Sequence, residues 1–68
     1  MSEYSTLIGE IAKKHLSYVD IAKTLNITRD TLRYKLAGKR PFNIDEAIAI
    51  KSTYFPEKSF EQLFERTY

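Results

Sequence analysis

"SYVDIAKTLNITRDTLRYKLAGKR", residues Ser17 to Arg40, decides how this chain is read. Ser17 with Asp20 three residues on is an acidic variant of the capping box, which marks a helix start. Val19, Ile21, Ala22 and Leu25 supply that helix's inward side, and Asn26, which tolerates the left-handed conformation, stops it. Thr28 caps the next helix, Leu32 and Leu36 recur one turn apart along it, and it ends before Gly38. Only "NIT" joins the two, and so short a connection makes helices cross steeply rather than lie side by side. Ala22 is small where the second helix must approach, and Ile27 is an apolar plug inside the turn.

Outward from this pair the pattern stays helical, with no competing strand signal. Leu7, Ile8, Ile11 and Ala12 recur at helical spacing over Ser5 to His15, with Gly9 as an internal cost of about 1 kcal/mol relative to alanine. His15 falls in the last turn of that helix, where a partly charged imidazole suits the C-terminus. After the turn "GKRPF", Asn43 and Glu46 form a cap for a fourth helix with Ile44, Ala47, Ile48, Ile50 and Tyr54 as its apolar residues. Pro56 ends it, and Ser59 with Gln62 opens a short fifth helix bearing Phe60, Leu63 and Phe64. The expectation is an all-α, compact five-helix domain spanning 1–68, with its two-helix unit at about 17–37 and helices 4 and 5 at about 43–67.

Sixty-eight residues make one small domain with a thin stability margin. Cysteine is absent and histidine occurs once, so disulfides and thiolate zinc sites are excluded and no metal or other cofactor is expected. No apolar run approaches the ~20 residues of a membrane span, and the N-terminus lacks the pattern of a secretory signal, so the chain is read as soluble and cytoplasmic. There are no paired carboxylates, no nucleophile–base pair and no phosphate-cradling glycine loop, which speaks against an enzyme or a small-molecule site.

Net charge is only +2, but it is unevenly spread: −2 over residues 1–12, +6 over 13–40 and −2 over 41–68. A basic middle between acidic ends suits a polyanionic partner. At about 100° per residue, Leu32 and Leu36 turn inward together and leave Asp30, Arg33, Tyr34 and Ala37 on or near the other side. Thr28 and Arg29 occupy the first turn. Lys13, Lys14, Lys23 and Lys35 fall off that face and are read as solvated charges.

Taken together, Ile-Ala in the second helix, Leu-Asn-Ile-Thr at the turn, Leu-x-x-x-Leu-x-Gly-Lys-Arg through the third helix and a closing Leu-Phe resemble the phage-repressor family of helix-turn-helix proteins, the Cro/C1 or Xre-like group. The resemblance covers about 48 residues, and it is to the short forms from phages and prophages of Gram-positive bacteria. It departs from the family at Tyr18, where many members carry a glutamine, and at Asn26, where glycine is usual. It departs also at Ile11 and Leu36, which stand where many members bury an Arg–Glu pair. Replacing both partners of such a pair is often neutral, and the double change predicts that Ile11 touches Leu36.

The resemblance implies a lambda-repressor-like fold with helix 3 in the major groove of double-stranded DNA. Arg29, Asp30, Arg33 and Tyr34 are then the candidate base readers, with Asp30 either accepting from a cytosine amino group or orienting Arg33 or Tyr34. Tyr18, Thr28, Thr31, Lys39, Arg40 and Asn43 are the candidate contacts to the sugar-phosphate chain. Tyr54, Phe55, Phe60, Phe64 and Tyr68 crowd the C-terminal end, where they either complete the core or form the interface of a homodimer. The expected function is a transcriptional repressor that occupies an operator. The alternative is a protein-interaction module, antirepressor- or antitoxin-like, that keeps the scaffold without binding DNA.

Overall fold

Tyr4, Leu7, Ile8 and Ile11, spaced three and four residues apart, lay the first helix on the core, with Leu7 and Ile11 fully or nearly fully buried. The computed structural model describes residues 3–65. Its elements are α1 (Ser5–Lys13), α2 (Tyr18–Leu25), α3 (Arg29–Leu36), α4 (Ile44–Tyr54) and α5 (Phe60–Leu63), with no strand among the described residues. The radius of gyration, 10.7 Å, is that of a compact chain of this length (about 11 Å). Among the described residues, no helix is long and apolar enough to cross a membrane. Tyr68, expected in the C-terminal cluster, lies outside the described residues, and α5 stops at Leu63, short of the expected end.

Capping chemistry sets the helix starts where the sequence puts them. The Ser17 hydroxyl accepts from the Val19 and Asp20 amides, Thr28 from Thr31, and Ser59 from Gln62. At Asn43 the box closes in both directions, with Glu46 reaching back to the Asn43 amide. Three helices then end in one way, on a left-handed residue that folds two amides back onto the last turn. These residues are His15 (φ 55°), Asn26 (φ 59°) and Gly38 (φ 82°). His15 therefore does not sit in the last turn of α1 as expected. It is the reversal after the helix, donating to the Ala12 carbonyl while Leu16 donates to that of Ile11.

The core gathers Leu7, Ile11, Ile21, Ala22, Leu32, Leu36, Ile50, Phe55 and Leu63. Ile11 and Leu36 are each 2 % exposed and belong to this one cluster. Four of the apolar residues assigned to these helices lie outside the core, Val19 among them although it was expected inward. Val19 is 44 % exposed because Tyr18, not Val19, continues the stripe Ile21–Ala22–Leu25. Ala12 is exposed, one position beyond the α1 stripe. Ile44 and Ile48, 72 % and 46 % exposed, lie across the helix from the buried line Glu46–Ile50–Tyr54. A carboxylate, Glu46, shares the inward side of α4 with Ile50.

Two lysines read as solvated charges hold elements together. Lys14 donates to the Tyr54 carbonyl at the end of α4 (2.7 Å) and to Glu57 (3.0 Å), with its ammonium 4.6 Å from the Phe55 ring centre. The hydrogen bond from Lys14 holds the Glu57 carboxyl below the usual carboxylate range. Lys35 pairs with the buried Glu46.

Gly9 has a plain test. It lies inside α1, its conformation is not left-handed, and a Cβ there meets nothing within 4 Å. Gly9→Ala is expected to stabilise the domain by about 1 kcal/mol, raising the thermal midpoint by about 4–8 °C. A midpoint that stays or falls in a calorimetric scan would mean that the site needs the missing side chain.

Candidate nucleic-acid interface

Leu32 and Leu36, buried at 0 % and 2 % exposure, fix which side of α3 faces out. Arg29, Asp30 and Arg33 are exposed on that side, and Tyr34 is half-exposed. Arg33 approaches Asp30 at 3.8 Å, and Lys39, just past the helix, lies 5.7 Å from the centre of the Tyr34 ring. The four candidate base readers thus share one accessible surface, continuous with Lys39.

The N-terminus of α2 adjoins this surface. Ser17, Tyr18 and Val19 line a shallow concavity together with Arg29 and Arg33. A second one brings Tyr18, Arg33, Tyr34 and Lys39 around an apolar floor of Ile8, Leu36 and Ala37, with Glu3 at its edge. Tyr18 and Arg33 are common to both. Ser17 and Val19 were absent from the expected site. Ser17 was legible as a cap, and a cap is also an end where amides face outward.

The candidate backbone contacts divide. Lys39 and Arg40 are exposed in the turn after α3. The Thr28 hydroxyl is already engaged, accepting from the Thr31 amide and donating to the Thr31 hydroxyl at 2.8 Å. Asn43 is exposed, but its amide and side-chain oxygen are spent on the cap with Glu46, and it lines a separate concavity with Asp45 and Glu46.

The aromatic candidates divide too. Phe55 is fully buried, so it cannot form an interface; the residue before Pro56 leaves the helix and its ring drops into the core. Tyr54 is packed inward and shares a 2.8 Å hydrogen bond with the Thr24 hydroxyl of α2. Phe64 meets Tyr4 and Phe42 edge-on, with ring centres 6.0 and 5.6 Å away, so it completes the core. Of the described candidates Phe60 remains partly outside, at 38 % exposure.

Pairing sorts the cations. Lys13 meets Glu10, Lys14 meets Glu57, and Lys35 meets Glu46, all carboxylates outside the basic middle. Among the described residues, Lys23, Arg29, Lys39, Arg40 and Lys51 have no acidic partner within 4.0 Å. Three of those five lie on α3 or in its following turn. Compared with known proteins, the chain matches no family model, no curated protein and no solved structure.

The turn carrying Lys39 and Arg40 is pinned at both ends. Lys35 Nζ and the Asn43 amide converge on one oxygen of Glu46, and Tyr4 donates to the Leu36 carbonyl at 3.0 Å. With side-chain exposures of 12 % and 9 %, the Lys35–Glu46 pair is nearly dry. Lys35→Met is expected to cost about 3 kcal/mol, because it strands a buried carboxylate. Lys35→Met with Glu46→Gln should recover most of that loss. Urea unfolding of the single and double variants decides it: simply additive losses would show that the two groups do not depend on each other.

Proposed function

We propose that the protein binds double-stranded DNA sequence-specifically as a transcriptional repressor, with α2 and α3 as a helix-turn-helix unit and α3 as its reading helix. The observation that carries this reading is the set of unpaired cations, Arg29, Lys39 and Arg40, on and just after a helix whose other side is anchored by Leu32 and Leu36. Arginines at the exposed start and middle of such a helix suit guanine O6 and N7. Basic residues in the turn suit phosphates. The phage-repressor resemblance, including its three-residue turn and left-handed Asn26, supports the same assignment.

Binding to random duplex should fall steeply with salt, close to one log unit of affinity per log unit of salt for each phosphate neutralised. Arg33→Ala is expected to weaken binding to a selected sequence by about 1–3 kcal/mol and random binding much less. Arg40→Ala should weaken both alike. Equal losses for the two variants would remove Arg33 as a base reader.

A twofold dimer belongs to the same proposal, since two half-sites about 34–36 Å apart need two reading helices. Its interface is assigned to Ile44, Ile48 and Phe60, the exposed apolar side chains of α4 and α5. Sedimentation over a concentration series, with and without duplex, checks this. A mass of two chains that Ile48→Glu returns to one supports it; one chain throughout excludes it. The exposed isoleucines also favour a second reading, a protein-interaction module without DNA binding. That reading is left standing if random duplex does not bind even at low salt.

A further inference from the structure

Asp30 is the one carboxylate on α3, and it stands on the cationic side of the helix, next in sequence to Arg29 and 3.8 Å from Arg33. Both members of the Asp30–Arg33 pair are well exposed, with side chains 70 % and 63 % accessible, so the pair contributes little to holding the fold together. On a surface that docks against phosphates, such an acid lowers affinity for every duplex alike. It ceases to do so only where a hydrogen-bond donor meets it.

In the major groove those donors are the N4 amino group of cytosine and the N6 amino group of adenine, whereas guanine O6 and N7 and thymine O4 are acceptors and repel a carboxylate. Arginine has the opposite preference and takes guanine O6 and N7. Within one G·C pair, guanine O6 and cytosine N4 are hydrogen-bonded to each other, so an acceptor and a donor stand about 3 Å apart. A guanidinium and a carboxylate held 3.8 Å apart present the complementary arrangement.

We propose that Asp30 and Arg33 act as one reading unit for a G·C pair: Arg33 donates to the guanine, Asp30 accepts from the cytosine amino group, and Asp30 disfavours sites lacking that donor. This rests on the duplex-binding reading given above. Arg33 supplies attraction, and Asp30 supplies rejection. Selectivity is a difference of affinities, and a repulsive group at the wrong sites raises it as surely as a new contact at the right one.

The experiment is selection from a random duplex pool by the wild-type chain, Asp30→Ala, Asp30→Glu and Arg33→Ala, with affinities measured on the selected sequence and on random duplex. The wild type should enrich one position as G·C. Asp30→Ala should bind random duplex about threefold more tightly at low salt, the effect of removing one unit charge about 6 Å from a phosphate in water. Its selected-to-random ratio should drop by about tenfold as the cytosine contact is lost too. Asp30→Glu, which keeps the charge, should keep the low random affinity and so separate charge from any loss of folding. Arg33→Ala should lose the guanine preference while retaining a preference for an amino-bearing base opposite Asp30. If the wild type selects a sequence and Asp30→Ala leaves both ratio and preference unchanged, the reading unit is refuted and DNA binding stands. If the wild type binds no duplex at low salt, the duplex-binding reading itself is refuted, and the unit with it.

Discussion

A single carboxylate oxygen, that of Glu46, holds the junction between α3 and α4 in place. Taking a carboxylate out of water costs several kcal/mol unless it is paired and hydrogen-bonded. Here Lys35 Nζ from α3 and the Asn43 amide at the start of α4 meet on the same oxygen. The intervening segment, Ala37 to Phe42, is therefore clamped at both ends. Phe42 adds an apolar anchor by packing edge-on against Tyr4 and Phe64, with centroids 5.2 and 5.6 Å away. Lys39 and Arg40 are carried by this clamped turn rather than by a free loop.

The same junction explains where sequence patterning succeeded and where it misled. Caps were legible residue by residue, because Ser17, Thr28, Asn43 and Ser59 each satisfy amides a fixed distance down the chain. The anchoring of α3 was legible for the same reason, as Leu32 and Leu36 are spaced one turn apart. The inward side of α4 was legible only in part, since Ile50 and Tyr54 pack inward while Ile44 and Ile48 of the same apolar set do not. Ile44 and Ile48 make as good a stripe as Glu46 and Ile50, and hydrophobicity chooses the isoleucines. What chose Glu46 was a lysine eleven positions earlier, a tertiary fact that no local period contains. The lysines were misread in the same way, since Lys14 and Lys35 look like solvated charges until the helix end or carboxylate they meet is in place.

Backbone reversals show a related division. The Asn26 turn was legible because asparagine tolerates the left-handed region, and Gly38 followed from the absence of a side chain. His15 takes up the same conformation, which histidine enters more readily than most residues. Its helix ends there because Leu16 must turn inward to pack on the core while its amide closes onto the Ile11 carbonyl. The burial of its neighbour completes the reversal.

Folding also changes what the charge pattern means. Along the chain, acidic ends flank a basic middle, and acidic ends on a polyanion-binding protein would oppose binding. In the folded domain Glu10, Glu46 and Glu57 instead fold back onto Lys13, Lys35 and Lys14. The ends thereby neutralise three of the four middle lysines that lie off the outer side of α3, leaving Lys23. Arg29, Lys39 and Arg40 remain without an acidic partner, and Arg33 meets only the nearby Asp30. A net charge of +2 thus understates the surface that matters. Three of the cations left without an acidic partner gather on α3 and the turn after it, and like charge gathered on one side is what steers and orients a polyanion.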